Sequence, residues 1–336
     1  MKIKFWGTRG SIPAPGKDTV EYGGNTTCLE IISEKGDEYI FDAGTGIRDL
    51  GNDLMKRYNG KNLEAKLFLS HKHWDHVQGF PFFTPAYIPG NKIDIYSGDA
   101  DVTQEELEKI QKKQDGVGTR RLKKGDLTDR LTKETAKITN KNGETNKAKE
   151  LFQYQQARPY FPVEIEMMAA DIHFKDLAEG IKYTNGVEVS YKKMNHPDGC
   201  FCYKITENNH SVVFATDYEH DSEANYVSEG KDKRLIEWSK GADVLIYDGQ
   251  YTPELYEQRK GWGHSTYEKG IDIALEAGVK RLVFTHHDPM STDEMIHELE
   301  KKARDYLYKR TEGKNSNIAL KEVEFAREKS EHYVGK

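Results

Sequence analysis

No stretch of the chain reaches the roughly 18 consecutive apolar residues a membrane span needs. The opening Met1-Lys-Ile-Lys-Phe-Trp-Gly7 reads as a first strand, its apolar run being too short for a signal peptide. Cysteine is scarce. Cys28, Cys200 and Cys202 are too few for a disulfide framework or a zinc-thiolate quartet. Cys200 and Cys202 alternate along a candidate strand and read as packing groups. An excess of positive charge is also missing: 56 Asp and Glu outnumber 50 Lys and Arg, for a net charge of −6. The sequence pI is about 6.1, which excludes a global basic field for nucleic acid. These absences lead to the expectation of a cytosolic protein. Its 336 residues suffice to bury a substantial core, as one large domain or two small ones.

Against that background, His71-Lys72-His73-Trp74-Asp75-His76 stands out. It places four metal-ligand side chains within six residues, directly after the apolar run Leu67-Phe68-Leu69. Positions i, i+2, i+4 and i+5 cannot share one face of a strand or a helix. They converge only where a strand turns over into a loop, which is where open metal sites are built. Imidazoles with a carboxylate suit zinc, manganese or iron, and two adjacent ions can clamp a phosphoryl or carbonyl oxygen.

Short apolar runs recur along the chain, alternating with turns and helical patterns. Strands are expected at Ile3–Trp6, Thr27–Ile32, Glu38–Phe41, Leu67–Leu69 and Ile93–Tyr96 in the first half. The second half offers Val187–Met194, Phe201–Ile205, Val212–Ala215, Val244–Tyr247, Leu282–Phe284 and Ile318–Val323. Capping boxes at Ser265 with Glu268 and at Ser291 with Glu294 predict helices to about Ala277 and about Tyr308. Two strand-rich halves, each with helices, point to an α/β protein of two packed sheets with helices outside. From Asp101 to Glu150 the chain changes character, with 13 Lys or Arg against 10 Asp or Glu and almost no aromatics. This is a charged surface insertion. A sharper reading makes it a lid or arm whose Arg120, Arg121, Lys123 and Lys124 meet substrate phosphates.

Three further strand ends each carry one candidate ligand: His196 after Met194, Asp217 after Ala215-Thr216, and His286 after Phe284-Thr285. With His71, His73, Asp75 and His76 they make seven, enough for two ions with Asp217 bridging.

These residues resemble the metallo-β-lactamase superfamily, and within it the ribonuclease Z-like phosphodiesterase branch. His71 to His76 matches the HxHxDH signature. Gly7-Thr-Arg-Gly-Ser11, Gly23-Gly-Asn-Thr-Thr27 and Phe41-Asp-Ala-Gly-Thr-Gly46 fit the start of its first sheet. The resemblance implies one four-layer αββα sandwich over 1–336, with 101–150 as an insertion. It implies that His71, His73 and His196 hold one metal, that Asp75, His76 and His286 hold the other, and that Asp217 is shared. The adjacent His287 competes with His286, and His286 is preferred because the branch's ligand follows a Thr. Asp42 is expected to accept an N–H from a ligand histidine, an outer contact such sites require.

Gly263-His264-Ser265-Thr266 is similar to the branch's HST motif, whose histidine assists the leaving group, and Asp248 stands where a Glu orients that histidine. The resemblance therefore implies two divalent ions, zinc first with manganese or iron as alternatives. A hydroxide held between them would attack a phosphodiester, with Asp75, Asp248 and His264 as the catalytic residues. In ribonuclease Z the tRNA-binding arm lies between the third ligand histidine and the bridging aspartate. Here His196 and Asp217 are 21 residues apart, which favours a small or cyclic nucleotide over tRNA. Trp74, Phe80, Phe82, Phe83, Tyr87, Tyr160 and Trp262 are aromatic candidates to stack on a base, Trp74, Phe82 and Trp262 foremost. The alternatives are a ribonuclease Z-like RNA or tRNA endonuclease and a non-enzymatic metal or redox sensor. A homodimer is the assembly common in the branch.

Overall fold

The computed structural model describes residues 1–98, 147–177, 180–197, 199–221, 232–313 and 318–335. Arg120, Arg121, Lys123, Lys124 and nearly all of the charged insertion lie outside the described residues.

Two seven-stranded sheets dominate. The first comprises β1 (Lys2–Gly7), β2 (Cys28–Ile32), β3 (Glu38–Phe41), β4 (Glu64–Leu69), β5 (Lys92–Gly98), β6 (Asp171–Leu177) and β14 (Glu331–Tyr333), in the order β14-β1-β2-β3-β4-β5-β6. The second comprises β7 (Gly180–Thr184), β8 (Val187–Met194), β9 (Cys200–Glu207), β10 (His210–Ala215), β11 (Val244–Asp248), β12 (Arg281–Thr285) and β13 (Glu322–Phe325), in the order β13-β12-β11-β10-β9-β8-β7.

Alternation along each strand explains the layering. Phe41, Phe68, Tyr96, Tyr203, Phe214 and Val283 belong to one buried cluster drawn from both sheets. Their neighbours Ile40, Leu67, Leu69 and Ile95 turn instead toward α1 (Ile47–Tyr58) and α2 (Lys147–Gln155). On the far side, Val213, Ala215, Leu245 and Leu282 pack under α3 (Asp232–Ser239), α5 (Tyr267–Ala277) and α6 (Asp293–Thr311). A short α4 (Pro253–Arg259) follows β11. The result is the expected αββα sandwich. No helix among the described residues is long and apolar enough to cross a membrane.

Three expectations shift in detail. The last strand of the second sheet is Glu322–Phe325, not Ile318–Val323, because its parallel pairing begins where β12 begins, at Arg281 opposite Glu322. The cap of α5 is Thr266, whose hydroxyl accepts from Lys269 N–H, and the Ser265 hydroxyl is instead engaged by Tyr247 and His220. Likewise Thr292, not Ser291, caps α6.

Strand direction positions the site. β3, β4 and β5 run parallel, as do β10, β11 and β12. β8 joins the latter direction because it is antiparallel to β9, which is antiparallel to β10. The carboxyl ends of β3, β4, β8, β10, β11 and β12 therefore meet at one edge of the sandwich, the usual ligand-binding end of such strands.

Candidate metal centre

The seven sequence-picked residues converge at that edge. His71, His73, His196 and Asp217 bring one ligand atom each within 4.8 Å of one another, and so do Asp75, His76 and His286. A third overlapping group is Asp217, Asp248, His264 and His286. The turns that achieve this are sharp. Asp42, Asp217 and His286, each within two residues of a strand end, have φ of 62°, 52° and 62°, a left-handed conformation that costs non-glycine residues energy and recurs at functional sites. Gly10 is required for a different reason: a Cβ there would stand 2.3 Å from the His286 ring.

The spacing of donor atoms fits an ion. Ligands about 2.0–2.1 Å from a tetrahedral zinc stand about 3.3 Å apart. His76 Nε2 lies 3.2 Å from His286 Nε2, 3.2 Å from Asp75 Oδ2 and 3.2 Å from Asp217 Oδ2. His286 Nε2 lies 3.1 Å from Asp75 Oδ2 and 3.3 Å from Asp217 Oδ2. In the other group His196 Nε2 and His73 Nδ1 are 3.3 Å apart, and His71 Nε2 is 3.7 Å from Asp217 Oδ1. That His71 nitrogen is buried and makes no hydrogen bond. A buried imidazole nitrogen without a partner is costly in a native fold unless something else satisfies it, as a metal ion would.

The opposite ring nitrogens are held from behind. His76 Nδ1 meets Asp42 Oδ2 at 2.8 Å, His71 Nδ1 meets Ser70 Oγ at 3.0 Å, His196 Nδ1 meets the Gly263 carbonyl at 3.1 Å, and His286 Nδ1 meets Gln250 Oε1 at 3.1 Å. Each contact aims Nε2 inward and fixes the tautomer a metal ligand requires. Asp75 Oδ2 accepts Ser11 N–H at 2.7 Å, and Asp217 Oδ2 accepts the Thr216 hydroxyl at 2.8 Å. Asp42 thus stands in its expected place. Ser70, Gln250 and Ser11 were not singled out from sequence, since nothing in a lone Ser or Gln marks it as a partner of distant ligands.

Electrostatics agree with a cation cage. Burial disfavours a charged His76, yet Asp217, Asp75 and Asp42 outweigh it and raise its pKa well above the usual value. His286 is likewise lifted to about 9 against burial, by Asp217 and Asp75. Burial and the neighbouring His76 push His71 well below its ordinary pKa, and burial, with His73 adding, brings His196 down to about 4. Asp75 and Asp217 stay ionised in spite of burial because the surrounding imidazoles favour the charged form.

His287 faces away. Its Nε2 meets the Ala326 carbonyl at 2.8 Å, its ring lies on Phe325, and burial lowers its pKa to about 3. His264 comes next to the second group, its ring stacked on His286 with centroids 5.0 Å apart and its Nδ1 2.8 Å from Asp248 Oδ2. Asp248 Oδ1 accepts Gln250 N–H at 3.0 Å. Of the aromatic candidates, Trp74, Phe82 and Trp262 are 60 %, 56 % and 62 % exposed. Phe80 and Phe83 are fully buried in the core and cannot stack on a base.

A family model described as "Beta-lactamase superfamily domain" matches residues 126–287, a span that holds His196, Asp217, Asp248, His264 and His286. Over this span the chain is similar to the metallo-β-lactamase superfamily. The ribonuclease Z of Bacillus mycoides is 23% identical over 352 residues, covering 93% of this chain and 96% of that protein. The ribonuclease Z of Methanosarcina mazei is 26% identical, over 88% of this chain and 90% of that protein. Among solved structures, the metallo-β-lactamase fold protein YhfI from Bacillus subtilis superposes with a TM-score of 0.58 at 17% identity, covering 99% of each chain. The fold implies divalent metal ions, and the donor spacing, the orphaned His71 nitrogen and the inward tautomers accommodate them.

Proposed function

We propose that this metal-dependent hydrolase cleaves a phosphodiester in a small or cyclic nucleotide. The observation that carries this reading is the His264–Asp248 pair, 2.8 Å apart, set against a seven-ligand cage. His71, His73 and His196 on one side and Asp75, His76 and His286 on the other, with Asp217 between them, would hold two divalent ions, which when bound would supply a nucleophile at neutral pH and neutralise charge on phosphoryl oxygens.

The chain's own residues do the rest. Asp248 occupies His264 Nδ1, which leaves Nε2 to meet the substrate and hands the ring's basicity to that nitrogen. Protonated, His264 gives its proton to the departing oxygen as the phosphorus–oxygen bond breaks. Ser11 N–H and the Thr216 hydroxyl hold Asp75 and Asp217, so neither carboxylate must reorganise during the reaction. Trp74, Phe82 and Trp262 are exposed and would be available to stack on a base.

A second reading, an RNA or tRNA endonuclease, is favoured by the ribonuclease Z relatives matched along nearly the whole chain. Against it, the residues between His196 and Asp217 are spent on the β9–β10 hairpin, which leaves no room for a substrate arm there. A panel of 2′,3′- and 3′,5′-cyclic nucleotides, a model phosphodiester and pre-tRNA, each tested with zinc and manganese, separates the two. Turnover of pre-tRNA alone overturns the small-substrate reading.

A further inference from the structure

The loop that carries His264 is tied to a residue well before it in the chain. Gly261 N–H donates to Glu219 Oε1 at 2.6 Å and Gly263 N–H to Glu219 Oε2 at 3.2 Å, while the Tyr256 hydroxyl donates to Oε1 at 3.2 Å. Glu219 lies two residues beyond Asp217, and its own backbone is clamped to the loop of His196. Its N–H donates to the Asn195 carbonyl at 2.9 Å, and Asn195 Nδ2 donates to its carbonyl at 2.6 Å. The loop is further tied because the Gly263 carbonyl accepts His196 Nδ1. A Cβ on Gly263, whose φ is +93°, would stand 2.1 Å from that nitrogen, so the backbone approaches as closely as only glycine allows. Glu219 therefore joins three loops, its carboxylate holding that of His264 and its backbone tying the segment after Asp217 to that of His196.

We propose that Glu219 is the positioning residue for the leaving-group acid, holding the Gly261–His264 segment so that His264 reaches the substrate only from a site whose ligand loops are in place. This rests on the reading of His264 as the acid. The charge-assisted bonds to the Glu219 carboxylate are about twice as strong as neutral ones, and acid placement is sensitive, since a displacement of about 1 Å can cost about a hundredfold in rate.

The test compares two substrates that differ only in the leaving group. p-Nitrophenyl phenyl phosphate loses a phenolate that departs readily without a proton, whereas diphenyl phosphate gains more from one. With metal content at the wild-type level, Glu219→Ala is expected to lower kcat about 10- to 100-fold on diphenyl phosphate and less than about threefold on the nitrophenyl ester. Glu219→Gln, which keeps one acceptor oxygen, recovers part of the loss. The double variant with His264→Ala is no slower than His264→Ala alone. Amide hydrogen exchange at Gly261 and Gly263 speeds up in Glu219→Ala and not in His264→Ala.

Equal losses on both substrates, an additive double variant, or unchanged exchange at the two glycines would overturn the proposal. His264→Ala that slows both substrates alike would instead refute the acid role of His264, and the exchange measurement then still decides whether Glu219 holds the loop.

Discussion

Substituting Asp42 by Asn probes how the cage is aimed, because the structure fixes what the amide can and cannot replace. Asp42 is fully buried and accepts three hydrogen bonds: Ser70 N–H at Oδ1 (2.7 Å), and the Ser70 hydroxyl and His76 Nδ1–H at Oδ2, both 2.8 Å. An amide has one acceptor oxygen. Turned toward His76, it keeps two of the three partners and sets its own NH2 against Ser70 N–H. Turned the other way, it sets two donors against each other at His76. The first arrangement costs less, so the metal-free protein should lose about 1–3 kcal/mol, the price of one stranded buried donor. His76 keeps an acceptor, but a neutral one, and outer-contact changes of this kind weaken metal binding about 10- to 100-fold. The lower end is expected here, close to about 1.4 kcal/mol. Competition against a chromophoric chelator gives the affinity, and thermal unfolding in chelator gives the stability. Metal affinity within twofold of wild type would refute the assignment of His76 as a ligand oriented by Asp42.

Three further outcomes are expected. His264→Ala should retain full metal content and lose about two to four orders of magnitude in the chemical step; single-turnover kinetics with elemental analysis of the same sample checks both. Gly263→Ala should impair metal binding through His196, since the new Cβ would fall 2.1 Å from His196 Nδ1; isothermal titration with zinc reads the loss. Glu38 gives a pH signature independent of the metal. Burial and the adjacent Glu30 raise its pKa to about 8, with Arg57 opposing, against about 4.3 in the unfolded chain. The folded state then binds the extra proton between those values, so Glu38 makes stability fall as pH rises from about 4.3 toward 8. Metal-free Glu38→Gln should show a flatter dependence of Tm between pH 5 and 8 than wild type, and identical slopes would show that Glu38 titrates normally.

What could be read from the residues alone follows from how much physics is local. His71 to His76 was legible because four ligand types at that spacing have no single strand or helix face to share. The strands of the two sheet interiors were legible because Phe41, Phe68, Val213 and Leu245 belong to dense apolar runs. β6 and β14 were missed since Asp-Ile-His-Phe-Lys-Asp-Leu and Glu-His-Tyr are edge strands whose many polar residues break up any apolar run. α1 was passed over although Ile47, Leu50, Gly51 and Leu54 carry the buried face. The cap of α5 was placed one residue early for a tertiary reason, the claim of Tyr247 and His220 on the Ser265 hydroxyl. The side chains of Gln250 and Glu219 act through partners far away in sequence, and Ser70 links its neighbour His71 to the distant Asp42, which no short motif encodes. The insertion's Arg120 and Arg121 lie outside the described residues and carry no part of the account.

Activity measured against added metal tests the central claim most directly. Metal-free protein is titrated with zinc, and hydrolysis of p-nitrophenyl phenyl phosphate is recorded at each step. A two-ion phosphodiesterase centre predicts activity that climbs to a plateau at about two equivalents per chain. A plateau at one equivalent, or no turnover once two are bound, would contradict it.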